Sequence, residues 1–173
     1  MKKKLFDFLI EAHKYQKYDG DHYLRHLVDT FGILSYLGVR DPDLGTACLC
    51  HDVLEDTDKT EQDLLDAGVS PRALEIIKAV TDEPGKNRKE RKAKTYPKIM
   101  KDPDAALVKF CDRFSNILSG QTKYREMYRK EHEEFCSKLL DPALVSLCSH
   151  NGNSDTFDVF LIWCDQVLNE EST

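Results

Sequence analysis

The sequence predicts an all-α protein of about eight to ten helices in one domain spanning residues 1–173. Three observations carry this reading. A capping residue followed by proline recurs at Asp41-Pro42, Ser70-Pro71, Asp102-Pro103 and Asp141-Pro142. Proline is well suited to the first helical position because its missing N–H would have no helical partner there. Apolar residues recur at helical spacing. No run of alternating apolar and polar residues is long enough for a clear strand. The chain has 173 residues, 40% apolar and 32% charged, which fits a globular domain and excludes a fibre, a collagen-like chain or a wholly disordered tail. No stretch reaches the ~20 apolar residues that a membrane span requires.

Element by element, Leu5, Phe8, Leu9 and Ala12 share one face of a first helix, which Gly20 is expected to end. Met1-Lys2-Lys3-Lys4-Leu5-Phe6 mimics a signal peptide briefly, but Asp7 and Glu11 interrupt the apolar run and no small-residue cleavage site follows. The protein is therefore read as cytoplasmic. A second helix runs from near His22 to Gly38, and a third opens at Asp41. Thr60 and Asp63 form a capping pair, with Gly68 closing that short helix. Residues 82–88, with Pro84-Gly85, read as the most flexible connection, and Pro97 is expected to kink or divide the helix that follows. A helix over about 103–119 ends before Gly120, a long polar helix covers about 122–140, His150–Ser154 is a loop, and a last helix covers about 155–168. Most of the six cysteines lie among apolar neighbours and read as small buried hydrophobes with free thiols.

The net charge of −6 argues against coating of a nucleic-acid polymer. The charge is uneven, however. Residues 86–94 contain six basic residues and one acidic, which leaves −11 on the rest of the chain. Such an island suggests a local anion site; the plain alternative is a solvated helix face.

The segment from Cys50 to Asp56 carries the most chemistry. At about 100° per residue, Asp52, Glu55 and Asp56 fall within about 140° of His51. Ala47, Leu49, Cys50, Val53 and Leu54 fill the opposite arc. Three carboxylates crowded beside one imidazole are unfavourable unless a cation or proton neutralises them. A divalent metal with mixed nitrogen and oxygen ligands fits. Cys48-x-Cys50-His51 matches no common zinc module, and Cys50 falls in the apolar arc. On the helix near 103–119, Asp112, Asn116 and Ser119 form one polar stripe opposite Phe110, Phe114 and Ile117. His26 sits on a helix with Leu27, Phe31, Leu34 and Leu37.

The order His26, His51-Asp52, Asp112 resembles the HD superfamily of metal-dependent phosphohydrolases. The wider pattern narrows it: Ala12-His13, Tyr23-x-x-His26, the run from Ala47 through His51-Asp52-Val53-Leu54-Glu55-Asp56-Thr57, Val80-Thr81-Asp82, and Val108 through Asp112-Arg113-x-x-Asn116. This is similar to the hydrolase domain of Rel/SpoT-type proteins and small alarmone hydrolases over about residues 5–120. The resemblance implies an HD-type helical domain with a helical extension over about 122–170.

It also implies that His26, His51, Asp52 and Asp112 bind one Mn²⁺, with Fe²⁺ and Mg²⁺ as alternatives because such ligands suit several metals. Glu55 and Asp56 match the catalytic acidic pair. Asn116 matches a ribose-holding residue, and Ser119 falls where a hydroxyl residue is common. The implied reaction is removal of the 3′-pyrophosphate from guanosine tetra- or pentaphosphate (ppGpp, pppGpp), without alarmone synthesis. Cationic side chains must offset the charge of such a substrate. Arg88 and Lys92 are the expected phosphate contacts, with Arg91 next. Where the family carries a basic pair used on the purine, this chain has Lys17 followed by Tyr18, and Leu27 stands where proline is common. The expected partner is a small nucleotide, with no membrane and no nucleic-acid polymer. The helix from Thr122, with Tyr124, Tyr128, Glu131 and Phe135, is read either as a cover for the site or as a homo-oligomer contact. Two other functions stay open: hydrolysis of another nucleotide (NADPH, a nucleoside monophosphate or a cyclic nucleotide signal) and nucleotide binding without catalysis.

Overall fold

The helix over Pro103–Leu118 is the axis on which most of the other helices pack. In the computed structural model, which describes residues 3–119 and 122–169, the order is α1 (Lys3–Ala12), β1 (Lys17–Tyr18), β2 (Asp21–His22), α2 (Leu24–Tyr36), α3 (Pro42–Cys50), α4 (Val53–Asp56), α5 (Glu61–Ala67), α6 (Pro71–Val80), α7 (Arg88–Ile99), α8 (Pro103–Leu118), α9 (Thr122–Ser149) and α10 (Ser154–Asn169). Met1, Lys2 and Gly120, which the sequence reading used, lie outside the described residues. The fold is all-α apart from one minimal hairpin. Among the described residues no helix is long and apolar enough to cross a membrane.

Local chemistry sets most helix starts. The Asp41 carboxylate accepts from the Asp43 and Leu44 N–H groups at 2.9 Å each. Ser70 and Asp102 do the same for α6 and α8. Thr60 and Asp63 form the reciprocal capping box at α5, and Gly68 ends it in the left-handed region at φ 97°. Each such cap is worth about 1 kcal/mol. The expected Asp141-Pro142 start is overturned: α9 runs through Pro142 without a break. Tertiary packing overrides the proline. Phe135, Leu139, Ala143 and Leu147, four residues apart, form one buried stripe that continues across it. Beyond the proline, Ser146 and His150 both hydrogen-bond Asp104 at the start of α8, at 2.7 and 3.0 Å. Pro97 likewise lies within the last turn of α7 and does not divide it.

A second correction concerns Gly20. The first helix ends at Ala12, and Gly20 instead turns a two-strand hairpin with Lys17 opposite His22 and Tyr18 opposite Asp21. Asp19 and Gly20 both have positive φ, 52° and 87°. Two-residue hairpins favour Asp-Gly because their mirror-image turns need that backbone conformation.

The core is contributed by every helix around α8. Phe110 of α8 stacks on Phe114 and on Phe157 of α10, with ring centroids 4.1 Å apart in each pair. Arg72 of α6 holds both Asp102 oxygens at 2.8 Å and Asp104 at 2.7 Å, tying α6 to the start of α8. The cysteines are free; Cys48, Cys50, Cys111 and Cys164 are buried, whereas Cys148 is exposed. Phe157→Ala should therefore destabilise the protein by about 3–5 kcal/mol in a denaturant melt, as truncation of a buried aromatic does. Trp163→Ala, on the half-exposed face of the same helix, should cost about 1 kcal/mol or less.

Candidate active site

Three stretches far apart in sequence bring their polar side chains together. His26 lies in the first turn of α2, immediately after the hairpin. Asp112 lies in the middle of α8. His51 and Asp52 form the turn between α3 and α4, so the expected unbroken helix from His51 to Asp56 is replaced by a break after Cys50. The break has a local cause. The His51 Nδ1 hydrogen-bonds back to the Cys48 carbonyl at 2.8 Å, satisfying one of the orphan carbonyls at the end of α3.

That bond fixes the proton of neutral His51 on Nδ1 and leaves Nε2 as the lone-pair atom. The His26 Nδ1 is engaged by Ser115 Oγ at 3.1 Å. The two Nε2 atoms face each other at 3.2 Å. Asp52 Oδ2 lies 3.0 Å from His51 Nε2 and 3.4 Å from His26 Nε2. Asp112 Oδ1 lies 3.2 Å from His26 Nε2 and 3.4 Å from His51 Nε2. One donor atom each from His26, His51 and Asp112 falls within 4.8 Å of the others, a set that could hold a metal ion. Two facing imidazole Nε2 atoms and two carboxylates are a donor set that fits a divalent cation of nitrogen and oxygen preference. The electrostatics agree. Burial opposes protonation of His51 and His26, yet the Asp52 and Asp112 carboxylates outweigh it and push both up. Burial likewise opposes ionisation of Asp112, yet the Lys109 ammonium 2.9 Å away and the two imidazoles hold it well below the usual carboxylate range.

A second layer orients these donors. Asn116 Nδ2 donates to Asp112 Oδ1 at 2.7 Å. The Tyr23 hydroxyl lies 2.7 Å from Asp52 Oδ2 and 3.0 Å from Asp56 Oδ2, so its one proton is shared between the two acids. Stacking on His13, with ring centroids 4.9 Å apart, holds the Tyr23 ring in place. Glu55 accepts from the Asp82 N–H at 3.2 Å. Partial desolvation pushes both Glu55 and Asp56 up from the usual carboxylate range, Lys109 opposing this at Glu55 and the Asp52 charge adding to it at Asp56.

A cavity of about 150 Å³ opens over the cluster. Of the residues singled out from sequence, His26, Asp52, Glu55, Arg88, Lys92, Asp112 and Asn116 line it. His51 is buried beneath it, at 2% exposure. Lys17, Tyr18, Asp56 and Ser119 are outside its walls, as is Arg91, which faces Asp82 at 3.7 Å. Tyr18 is no open platform for a base. Its ring stacks on His26 at 4.8 Å, its hydroxyl donates to Ser119 at 2.9 Å, and burial pushes the phenol up to about 12. Lys17 is exposed on β1.

Tyr23, Asp82, Lys109 and Arg113 also line the cavity; the sequence pattern contains them but gave them no role of their own, although Lys109 and Arg113 flank Asp112 at one turn and one residue. Tyr96 was missed altogether. Tyr128 and Phe135 arrive from α9, the helix read as either a cover for the site or an oligomer contact.

No family model matches the chain. Curated relatives do. A protein of Aquifex aeolicus named guanosine-3′,5′-bis(diphosphate) 3′-pyrophosphohydrolase is 30% identical over 133 residues, which are 74% of this chain and 19% of that protein. The zebrafish (Danio rerio) and human (Homo sapiens) proteins named guanosine-3′,5′-bis(diphosphate) 3′-pyrophosphohydrolase MESH1 are 30% and 32% identical over 118 and 119 residues, 64% of either chain in both cases. The match thus spans less than two thirds of these relatives. A solved structure described as a metazoan ortholog of SpoT that hydrolyses ppGpp superposes with a TM-score of 0.69 at 23% identity, covering 96% of this chain and 94% of that one. In sequence the chain is thus similar to Rel/SpoT-type hydrolases of guanosine 3′-pyrophosphates, and it shares the fold of the metazoan SpoT ortholog.

Proposed function

We propose that the protein removes the 3′-pyrophosphate of guanosine tetra- or pentaphosphate in the cytoplasm, releasing pyrophosphate and GDP or GTP. The observation that carries this is the meeting, in one cavity, of a buried cation-seeking donor set, an acidic pair and a cationic wall. The names of the matched relatives supply the substrate class.

In this reading His26, His51, Asp52 and Asp112 hold one divalent ion, Mn²⁺ being the ion the family resemblance implies. Such an ion, when bound, supplies positive charge that polarises a phosphoryl oxygen and makes water a better nucleophile near neutral pH. The chain's own residues do the rest. Glu55 lines the cavity beside Asp52 and orients the attacking water, accepting its proton as the oxygen bonds to phosphorus. Asp56, tied to Asp52 through the Tyr23 hydroxyl, supports that acid from behind. The bond from phosphorus to the 3′-oxygen breaks, and that oxygen leaves as the ribose hydroxyl once protonated. Arg88 and Lys92 face the cavity and offset the phosphate charge of the bound substrate, equally before and during reaction. The amide of Asn116, held against Asp112, borders the space where a ribose would lie.

Titration with Mn²⁺ followed by calorimetry should show one tight site in the wild-type protein. Asp112→Ala should weaken it by a factor of about 100 or more, because it removes a ligand rather than a supporting contact. Glu55→Gln should bind Mn²⁺ as the wild type does and lose about 10²–10⁴ in kcat on guanosine 3′,5′-bis(diphosphate), the usual worth of a positioned general base. Wild-type turnover in that variant would remove Glu55 from the chemistry. Release of phosphate from NADPH or a nucleoside monophosphate, with none from the 3′-pyrophosphates, would transfer the site to another nucleotide.

A further inference from the structure

The cationic wall is held from behind by a single carboxylate. Arg88 Nε and Nη2 donate to Glu131 of α9 at 2.8 and 3.3 Å. The Lys92 ammonium also hydrogen-bonds Glu131. Arg113 Nη1 lies 3.9 Å from the same carboxylate. All three cations line the cavity, and Glu131 does not. The carboxylate therefore pairs with cations of the cavity wall without itself lining the space a phosphate would take.

From this arrangement we infer that Glu131 is the positioning residue for phosphate recognition, clamping Arg88 and Lys92 so that their remaining donors face the cavity. The inference rests on the proposed phosphohydrolase reading and extends it to α9, a helix outside the family sequence pattern.

The physical need is clear. Three cations crowd this region, and Lys92 and Arg113 are only 8% and 4% exposed. Like charges held together away from water repel unless a counter-charge is supplied. Burial pushes the Lys92 ammonium down to about 8, Glu131 opposing this and the neighbouring Arg88 and Arg113 adding to it. The guanidinium of Arg88 loses no reach to the clamp, because its Nη1 group is not used by Glu131. The three Lys92 donors are likewise not exhausted by one acceptor. Arg113 is fixed independently, donating to the Tyr128 carbonyl at 2.8 Å and lying over the Phe135 ring at 4.5 Å. Its role is thus to crowd the pair with positive charge, which makes Glu131 the necessary partner.

Two readouts test this. The first is binding of inorganic pyrophosphate to the metal-free protein, which needs no nucleotide. Glu131→Gln should weaken it about tenfold, and Glu131→Asp, which keeps the charge on a shorter stem, should lose less. The second is turnover of guanosine 3′,5′-bis(diphosphate) by the Mn²⁺-loaded protein. Here Glu131→Gln should raise KM about tenfold and leave kcat within about twofold, a split that general loss of structure would not give. The aspartate variant keeps the inference readable if the glutamine variant does not fold. Unchanged pyrophosphate binding in the folded variants overturns the clamp. Tighter binding also overturns it, since Glu131 would then be competing with phosphate. Absence of turnover in the wild type, with pyrophosphate binding still dependent on Glu131, would overturn the substrate reading and leave the clamp standing.

Discussion

Two buried imidazoles face each other through their Nε2 atoms at 3.2 Å, with an Asp52 and an Asp112 oxygen within 3.4 Å of both. Such a cluster persists only where positive charge lies among its members, and only where the backbone holds it there. That constraint explains much of the architecture. The start of α2, the turn after α3 and the middle of α8 must meet at one point, and α2, α3 and α8 pack on one another to make them do so. The pieces that orient the donors are themselves fixed. The Cys48 carbonyl sets His51, Ser115 engages His26, and Asn116 holds Asp112 from one turn further along the same helix. Two of these contacts are local to one stretch of chain, and the third, from Ser115 of α8 to His26 of α2, requires the two helices to be packed together.

Charge is partitioned across the cavity. Asp52, Glu55, Asp82 and Asp112 form one wall, and Arg88, Lys92 and Arg113 another. Lys109 sits between them and pairs with Asp112. A ligand that is itself polyanionic and takes a cation at one end would satisfy both walls at once. Neither wall is self-sufficient, however. The acidic side needs a cation to stay together, and the basic side needs the Glu131 carboxylate. The long polar helix α9, which begins after the family pattern ends, thereby contributes to the site rather than only covering the core.

Legibility in the sequence followed the range of the interactions. Asp41-Pro42, Ser70-Pro71, Asp102-Pro103 and the Thr60–Asp63 box act within one turn of chain, and each starts a helix. Asp141-Pro142 has the same local signal and starts nothing, because the buried stripe of α9 and the Asp104 contacts of Ser146 and His150 outweigh it. Asp19-Gly20 was legible in principle as a hairpin turn but was masked by the helical pattern before it. The polar arc from His51 to Asp56 assumed one unbroken helix, whereas the backbone breaks after Cys50 and Asp56 falls outside the cavity walls. The Glu131 contacts were beyond reach, since its partners Arg88 and Lys92 lie about 40 residues away and nothing near Glu131 marks it.

The same geometry bears on ligand size. A polymer such as RNA would be met by an extended, solvent-facing array of cations, which gains by releasing counterions along its length. The basic island of residues 86–94 does not behave that way. Lys94 and Glu90 pair with each other at 3.3 Å, Arg91 faces Asp82, and Lys92 turns inward to Glu131. Within a chain of net charge −6, two of the cations that line the cavity are recessed, Lys92 at 8% exposure and Arg113 at 4%. Under the proposed function, cations so recessed suit an anion that enters a cavity end-on, as the pyrophosphate of a free nucleotide would.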